Sequence, residues 1–182
     1  MVYILLAPGF EEAEALVPAD LLRRGGVETA LVSTDGALVA GGRQITVKAD
    51  LTLDQVELDR ADMLVLPGGG AGVQNLGREP AVEKLVREAA KRGIPLAAIC
   101  AAPTLLGRWG LLEGRRAICY PGMEGQMNGA VAADSPSHVV VDGPAKLITG
   151  QAAGSAFDFG LALVEYLAGR ERAEEVRASI CY

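Results

Sequence analysis

The feature that most constrains this chain is a repeated alternation. Short apolar runs stop at glycine or proline, and longer segments with helical spacing follow them. Val2–Ala7 ends at Pro8-Gly9 and reads as a buried strand. Glu11–Arg24 comes next, with apolar Ala15, Leu16, Leu21 and Leu22, acids in its first turn and Gly25-Gly26 at its end. That pattern predicts a helix. Val27–Ser33 is a second strand, Thr34–Gly42 a turn-rich connection, and Gln44–Lys48 alternates as an exposed strand does. Asp62–Leu66 is a strand running into Pro67-Gly68-Gly69-Gly70. Pro80–Lys91 is an amphipathic helix with proline at its start and Gly93 at its stop. Pro95–Ile99 is a further buried strand, and Pro103–Trp109 opens another helix. Arg116–Tyr120, Val139–Val141 and Lys146–Thr149 are strand candidates, the last two flanking Asp142-Gly143. Ser155–Leu167 is predicted as a helix opened by a capping-box pattern, Ser155-Ala-Phe-Asp158, and Arg172–Ser179 as a last short helix.

Such alternation implies an α/β fold, with a mainly parallel sheet between two layers of helices. A length of 182 residues fits a single domain, 1–182, with enough chain to bury a full core. Aromatic residues make up only 4%, so that core is built from small aliphatics, as covered parallel sheets are. Sites in these sheets form beyond the carboxyl ends of the strands. Three such ends stand out here: Pro8–Glu14, Pro67–Gly70 and Cys100–Pro103.

Several function classes are disfavoured. The net charge is −6 and the basic residues are scattered, so no nucleic-acid partner is expected. No stretch is long enough to span a bilayer, and no membrane association is expected. The opening Met-Val-Tyr-Ile-Leu-Leu-Ala lacks a basic region, and its apolar run is short for a signal peptide. Cys100, Cys119 and Cys181 are odd in number and include no Cys-x-x-Cys pair, which points to a reducing, cytoplasmic compartment. With one histidine, His138, and no cysteine cluster, no metal site is expected.

The chemistry-bearing candidate is Cys100, at the strand-to-helix turn Ala98-Ile-Cys-Ala-Ala-Pro103. Small neighbours let such a turn bend sharply and expose one side chain, although alanines stand here where the Gly-x-Ser-x-Gly turn of hydrolases has glycines. The N-terminus of the following helix would lower the thiol pKa and favour the reactive thiolate. The competing reading is a small buried hydrophobe. Gly68-Gly69-Gly70 offers backbone N–H groups for a developing oxyanion, or is merely a tightly packed loop. Glu11, Glu12 and Glu14 complement a helix dipole; alternatively, one of them reaches Cys100 as a proton carrier.

Pro-Gly-Phe-Glu-Glu-Ala-Glu, Leu-Pro-Gly-Gly, Ala-Ala-Ile-Cys-Ala-Ala-Pro and Gly-Ser-Ala-Phe-Asp-Phe occur in the order and spacing of the ThiJ/PfpI superfamily. Essentially the whole chain resembles that family, and most of all its protein-deglycase (DJ) branch. The resemblance implies a flavodoxin-like three-layer sandwich and a homodimer. It implies that Cys100 is a nucleophilic, oxidation-sensitive cysteine, with Glu14 as its partner and Gly69 and Ala101 as oxyanion-type backbone donors. Gly70 and Tyr120 then border the substrate, and Arg43 is a dimer-face arginine reaching the partner's site. No cofactor is implied. One departure narrows the chemistry. Tyr120 stands where the branch has a histidine, so a Cys-His dyad is missing and the peptidase reading is weakened.

Two functions follow from the resemblance. One is a glyoxalase or protein deglycase acting on methylglyoxal-type aldehydes or on glycated protein side chains. The other is a redox-sensing, chaperone-like stress protein whose Cys100 oxidises to sulfinic acid. A cysteine peptidase and a catalytically silent partner-binding relative are the remaining alternatives.

Overall fold

A computed structural model describes all residues, 1–182. A seven-stranded sheet forms its centre. Its strands are β1 (Val2–Leu6), β2 (Thr29–Ser33), β5 (Leu51–Thr52), β6 (Met63–Leu66), β7 (Leu96–Ile99), β10 (Val139–Asp142) and β11 (Leu147–Gly150), in the spatial order β10-β11-β7-β6-β1-β2-β5. Every pairing is parallel except β10 with β11, which form the antiparallel edge hairpin. The helices are α1 (Glu12–Arg24), α2 (Gly70–Arg78), α3 (Pro80–Lys91), α4 (Pro103–Arg108), α5 (Ala156–Ala168) and α6 (Arg170–Ser179). Two short pairs lie outside the sheet: β3 (Leu38–Ala40) with β4 (Thr46–Lys48), and β8 (Arg116–Ala117) with β9 (Val131–Ala132).

The sheet is covered on both faces, which explains why its strands read as unbroken apolar runs. Side chains alternate along β1. Tyr3 and Leu5 join one core with Val73, Val86 and Leu105 from α2, α3 and α4. Ile4 and Leu6 join the other with Leu21, Phe159 and Val176 from α1, α5 and α6. Helices α1 and α5 approach closely at Gly160, where a Cβ would press on Leu21 and on the Pro18 backbone. The three-layer α/β sandwich expected from the alternation is therefore the fold adopted.

Three local expectations need correction. Helix α2 is absent from the sequence reading because Gly70-Ala-Gly-Val has poor intrinsic helix propensity. Tertiary packing forms it: Gly72 lies against the Phe10 backbone with no room for a Cβ. The strand expected over Arg116–Tyr120 stops at Ala117, and its two residues pair with β9 outside the central sheet. Ile118 instead donates its N–H to the Thr149 hydroxyl at 2.9 Å, and the chain turns over the strand ends. Ser155 does not cap α5; its hydroxyl bonds the Ala152 carbonyl at 2.8 Å and accepts the Ala152 N–H at 3.2 Å. Helix α4 begins at Pro103, as expected, and turn residues separate Cys100 from it.

No helix is long and apolar enough to cross a membrane.

Candidate active site

The chain leaves β1 and β6 in opposite directions. After β1 it passes to α1 on one face, and after β6 to α2 on the other. That divergence opens a crevice at the carboxyl ends of two adjacent strands, the usual ligand position in such sheets. β7, next to β6, ends there too, and Cys100 follows it directly. Cys100 packs against both cores, so it lies where the two layers meet at the sheet's end.

Cys100 has φ +65°, a left-handed conformation that a residue with a side chain seldom adopts. Two backbone hydrogen bonds hold it there. Its N–H donates to the Gly150 carbonyl at 2.9 Å, and its carbonyl accepts the Tyr120 N–H at 2.8 Å. Strain maintained by its surroundings is a recurrent property of functional turns. Here it turns a partly exposed thiol onto the N–H groups of Gly69 and Ala101.

Glu14 comes from the first turn of α1 and is fully buried. Its Oε2 accepts the Gly68 N–H at 2.8 Å, while Oε1 is buried without a nitrogen or oxygen partner. The carboxyl group is in hydrogen-bonding contact with the Cys100 thiol. Gly68 lies between them: a Cβ there would overlap both the Glu14 carboxylate and Cys100 Cβ. The main chain locks this geometry, because Glu11 N–H donates to the Gly68 carbonyl at 3.0 Å.

Electrostatics make the two groups a dyad. Burial raises the Glu14 carboxyl to about 7, against the hydrogen bonds from Cys100 and Gly68 and with help from the Glu11 charge. Burial, the Glu14 charge and the Glu14 hydrogen bond push the Cys100 thiol up to about 12, against the Gly69 and Ala101 N–H groups. The expectation of a lowered thiol pKa from the following helix is thus overturned: burial first, and then the acidic neighbour, outweigh the backbone N–H groups. Interacting acids titrate as a pair. Between those two values the dyad carries one negative charge and one proton.

The other expected residues divide. Gly69, at φ +88°, is the N-cap of α2, and Gly70 is the first residue of that helix, facing open space. Tyr120 is brought to the site through its backbone bond to Cys100, and its side chain is 49% exposed. Arg43 sits at the tip of the β3–β4 hairpin; its guanidinium is 3.9 Å from Glu11 and reaches outward, not into the Cys100 site of its own chain. His138 is an exposed turn residue before β10 and makes no side-chain bond to the dyad. No group of histidine, cysteine or acidic residues is arranged to hold a metal ion.

Sequence reasoning missed Glu12. Its Oε1 accepts the Arg43 N–H at 2.7 Å and the Ile45 N–H at 3.4 Å, clasping the hairpin onto the start of α1. Gly41 has no room for a Cβ against this side chain, and that glycine was the available signal. Cys119 is buried, and its thiol is pushed up to about 11 by burial and by Glu124.

Known proteins are similar to this chain along most of its length. Protein dj-1beta of Drosophila melanogaster is 38% identical over 174 residues, covering 95% of this chain and 92% of the relative. The Parkinson disease protein 7 homolog of Danio rerio is 34% identical, covering 97% and 94% of the two chains. A deglycase of Pyrococcus abyssi is 37% identical over 142 residues, covering 78% of this chain and 85% of its own. Among solved structures, oxidized Toxoplasma gondii DJ-1 superposes with a TM-score of 0.93 at 32% identity, covering 100% of this chain and 97% of that one. Drosophila DJ-1beta gives 0.90 at 36% identity, covering 99% and 96%. The DJ-1/PfpI family model matches residues 1–166, which include all of the dyad and its backbone donors, and the chain belongs to that family.

Proposed function

We propose that this chain is a cofactor-independent glyoxalase or protein deglycase acting on methylglyoxal-type dicarbonyls or their early adducts on proteins. The observation that carries this reading is the contact between a partly exposed thiol and a fully buried carboxyl group that holds a proton near neutral pH. The singly ionised dyad is reactive when the charge is on sulfur, which two N–H groups stabilise, and the proton is on Glu14. The thiolate attacks the aldehyde carbon of methylglyoxal. The carbonyl oxygen takes the Glu14 proton, giving a hemithioacetal and leaving Glu14 ionised. Glu14 then removes the proton from that carbon and returns it to the adjacent carbonyl carbon, while the hydroxyl proton passes to the former ketone oxygen, leaving a lactoyl thioester. Water hydrolyses the thioester, releasing lactate and the free thiol. On a glycated side chain, the same attack would release the protein amine or guanidine. Kinship with a named deglycase at 37% identity supports the reading.

A second copy of the chain would bring Arg43 to this site, since its side chain is 73% exposed and reaches outward. We take a cytoplasmic homodimer as the working form. The test is lactate formation from methylglyoxal by wild type, Cys100→Ala and Glu14→Gln. The reading expects both variants to lose activity; equal rates in all three would sink it.

A second reading is favoured by the oxidized Toxoplasma relative. Two equivalents of peroxide would convert the Cys100 thiol to sulfinic acid and release two waters, with protonated Glu14 donating to the new oxygens. Intact-mass analysis after peroxide titration tests it: oxidation at Cys119 or Cys181 as readily as at Cys100 would end this reading.

A further inference from the structure

The opposite end of the sheet carries a cavity that the dyad does not use. Its volume is about 410 Å³, within the range of small-molecule sites, roughly 300–1,000 Å³. It opens where β7 and β11 begin, at Leu96 and Leu147, whereas Cys100 and Gly150 stand at the far ends of the same two strands.

Four cations line it: Arg87, Lys91, Arg115 and Lys146. In a chain of net charge −6 with scattered basic residues, this convergence is unusual. Only Arg87 has a carboxylate partner, Glu83, at 2.7 Å. Lys91, Arg115 and Lys146 form no ion pair. The one acid in the lining, Glu113, turns its carboxylate over Gly129. Like charges brought together without counter-ions repel one another, and an anionic ligand removes that cost.

Lys146 is placed there at a backbone cost. It ends the β10–β11 turn at φ +53°, where glycine would be unstrained. Its Nζ donates to the Gly93 carbonyl at 2.8 Å, across the cavity wall, leaving two donors free. Beneath the cations the lining is apolar, with Ile94, Leu111 and Leu147.

We infer that this cavity binds a phosphorylated small molecule: a multiply charged phosphate held by Lys91, Arg115 and Lys146, with a planar or apolar body on the Ile94–Leu111 floor. Arginine forks and lysine ammonium groups suit phosphate oxygens. The floor distinguishes a nucleotide-like ligand from a bare anion. The site is independent of the dyad chemistry, because no dyad residue lines it.

The experiment is an amide-resolved NMR titration of the full chain with ATP, AMP and inorganic pyrophosphate. Saturable shifts are expected at Gly93, Ile94, Leu111 and Lys146, with ATP binding more tightly than pyrophosphate. The Lys91→Glu/Arg115→Glu variant should bind ATP at least tenfold more weakly, and Cys100→Ser should bind it as wild type does. Should the double variant not fold, Arg115→Gln alone and a salt series replace it, with weaker binding expected in both. Absence of saturation at millimolar ATP would overturn the inference. So would pyrophosphate binding as tightly as ATP, shifts centred elsewhere, or binding indifferent to the substitutions and to salt.

Discussion

Glu14 and Cys100 face each other across Gly68, and neither leaves room for a side chain there. The buried carboxyl takes the Gly68 N–H at 2.8 Å, while the thiol takes N–H groups from Gly69 and Ala101. Three separate elements of the fold, α1, the β6–α2 turn and the β7–α4 turn, thus meet at one shared proton.

Gly68→Ala tests that spacing. The added methyl group must displace the carboxyl or the thiol, and overpacking of this kind costs about 1–3 kcal/mol. The expected result is a folded protein of lower urea midpoint in which Cys100 alkylation no longer shows the wild-type pH dependence. Unchanged alkylation kinetics would show that the two groups do not need this geometry.

The dyad's charge predicts a pH profile for the thiol. With the Glu14 carboxyl raised to about 7 and the thiol to about 12, the carboxyl loses its proton first, so Cys100 alkylation should be slow at neutral pH and rise only under strongly alkaline conditions. Glu14→Gln removes the neighbouring charge and the shared proton. The rise should move to lower pH, because the thiol should ionise below about 12: two of the three influences raising it come from Glu14. Mass-resolved iodoacetamide kinetics at Cys100 read both effects.

Folding stability should follow the same proton. The Glu14 carboxyl rises from 4.5 to about 7 on folding, so the folded state binds that proton more tightly than the unfolded chain. This contribution is fully present below about 4.5 and is lost as pH rises through about 7; by linkage it amounts to roughly 3 kcal/mol. Glu14→Gln lacks this dependence. Urea unfolding should therefore show the variant gaining on wild type between pH 5 and pH 8.

Glu12 should act on the hairpin and not on the dyad. It is only 6% exposed, and it accepts two hairpin N–H groups. Glu12→Ala removes the acceptor of both N–H groups, at a cost of about 1.5–3 kcal/mol. Faster hydrogen exchange should be confined to residues 38–48. Arg43→Ala should change monomer stability by less than about 1 kcal/mol, because its ion pair is long and exposed.

The sequence by itself determined the layers and most of the strands. Runs such as Val2–Leu6 and Leu96–Ile99 are apolar on both faces because helices cover both sides of a parallel sheet, and that signal is local. It also pointed to Cys100, Glu14 and Gly69, through glycine-rich turns and the family resemblance. Tertiary structure alone decided what these residues do to one another. Helix α2 forms from a glycine-rich segment because Gly72 fits the Phe10 backbone. The Arg116–Tyr120 segment stays outside the central sheet, with Arg116 and Ala117 paired to β9 and the Ile118 N–H given to the Thr149 hydroxyl. The thiol pKa rises instead of falling, because burial and a carboxylate 86 positions earlier in the chain outweigh the nearby N–H groups. Spacing along a chain carries propensity and pattern. The dielectric around a charge, and the distance to its neighbours, exist only after the chain has packed.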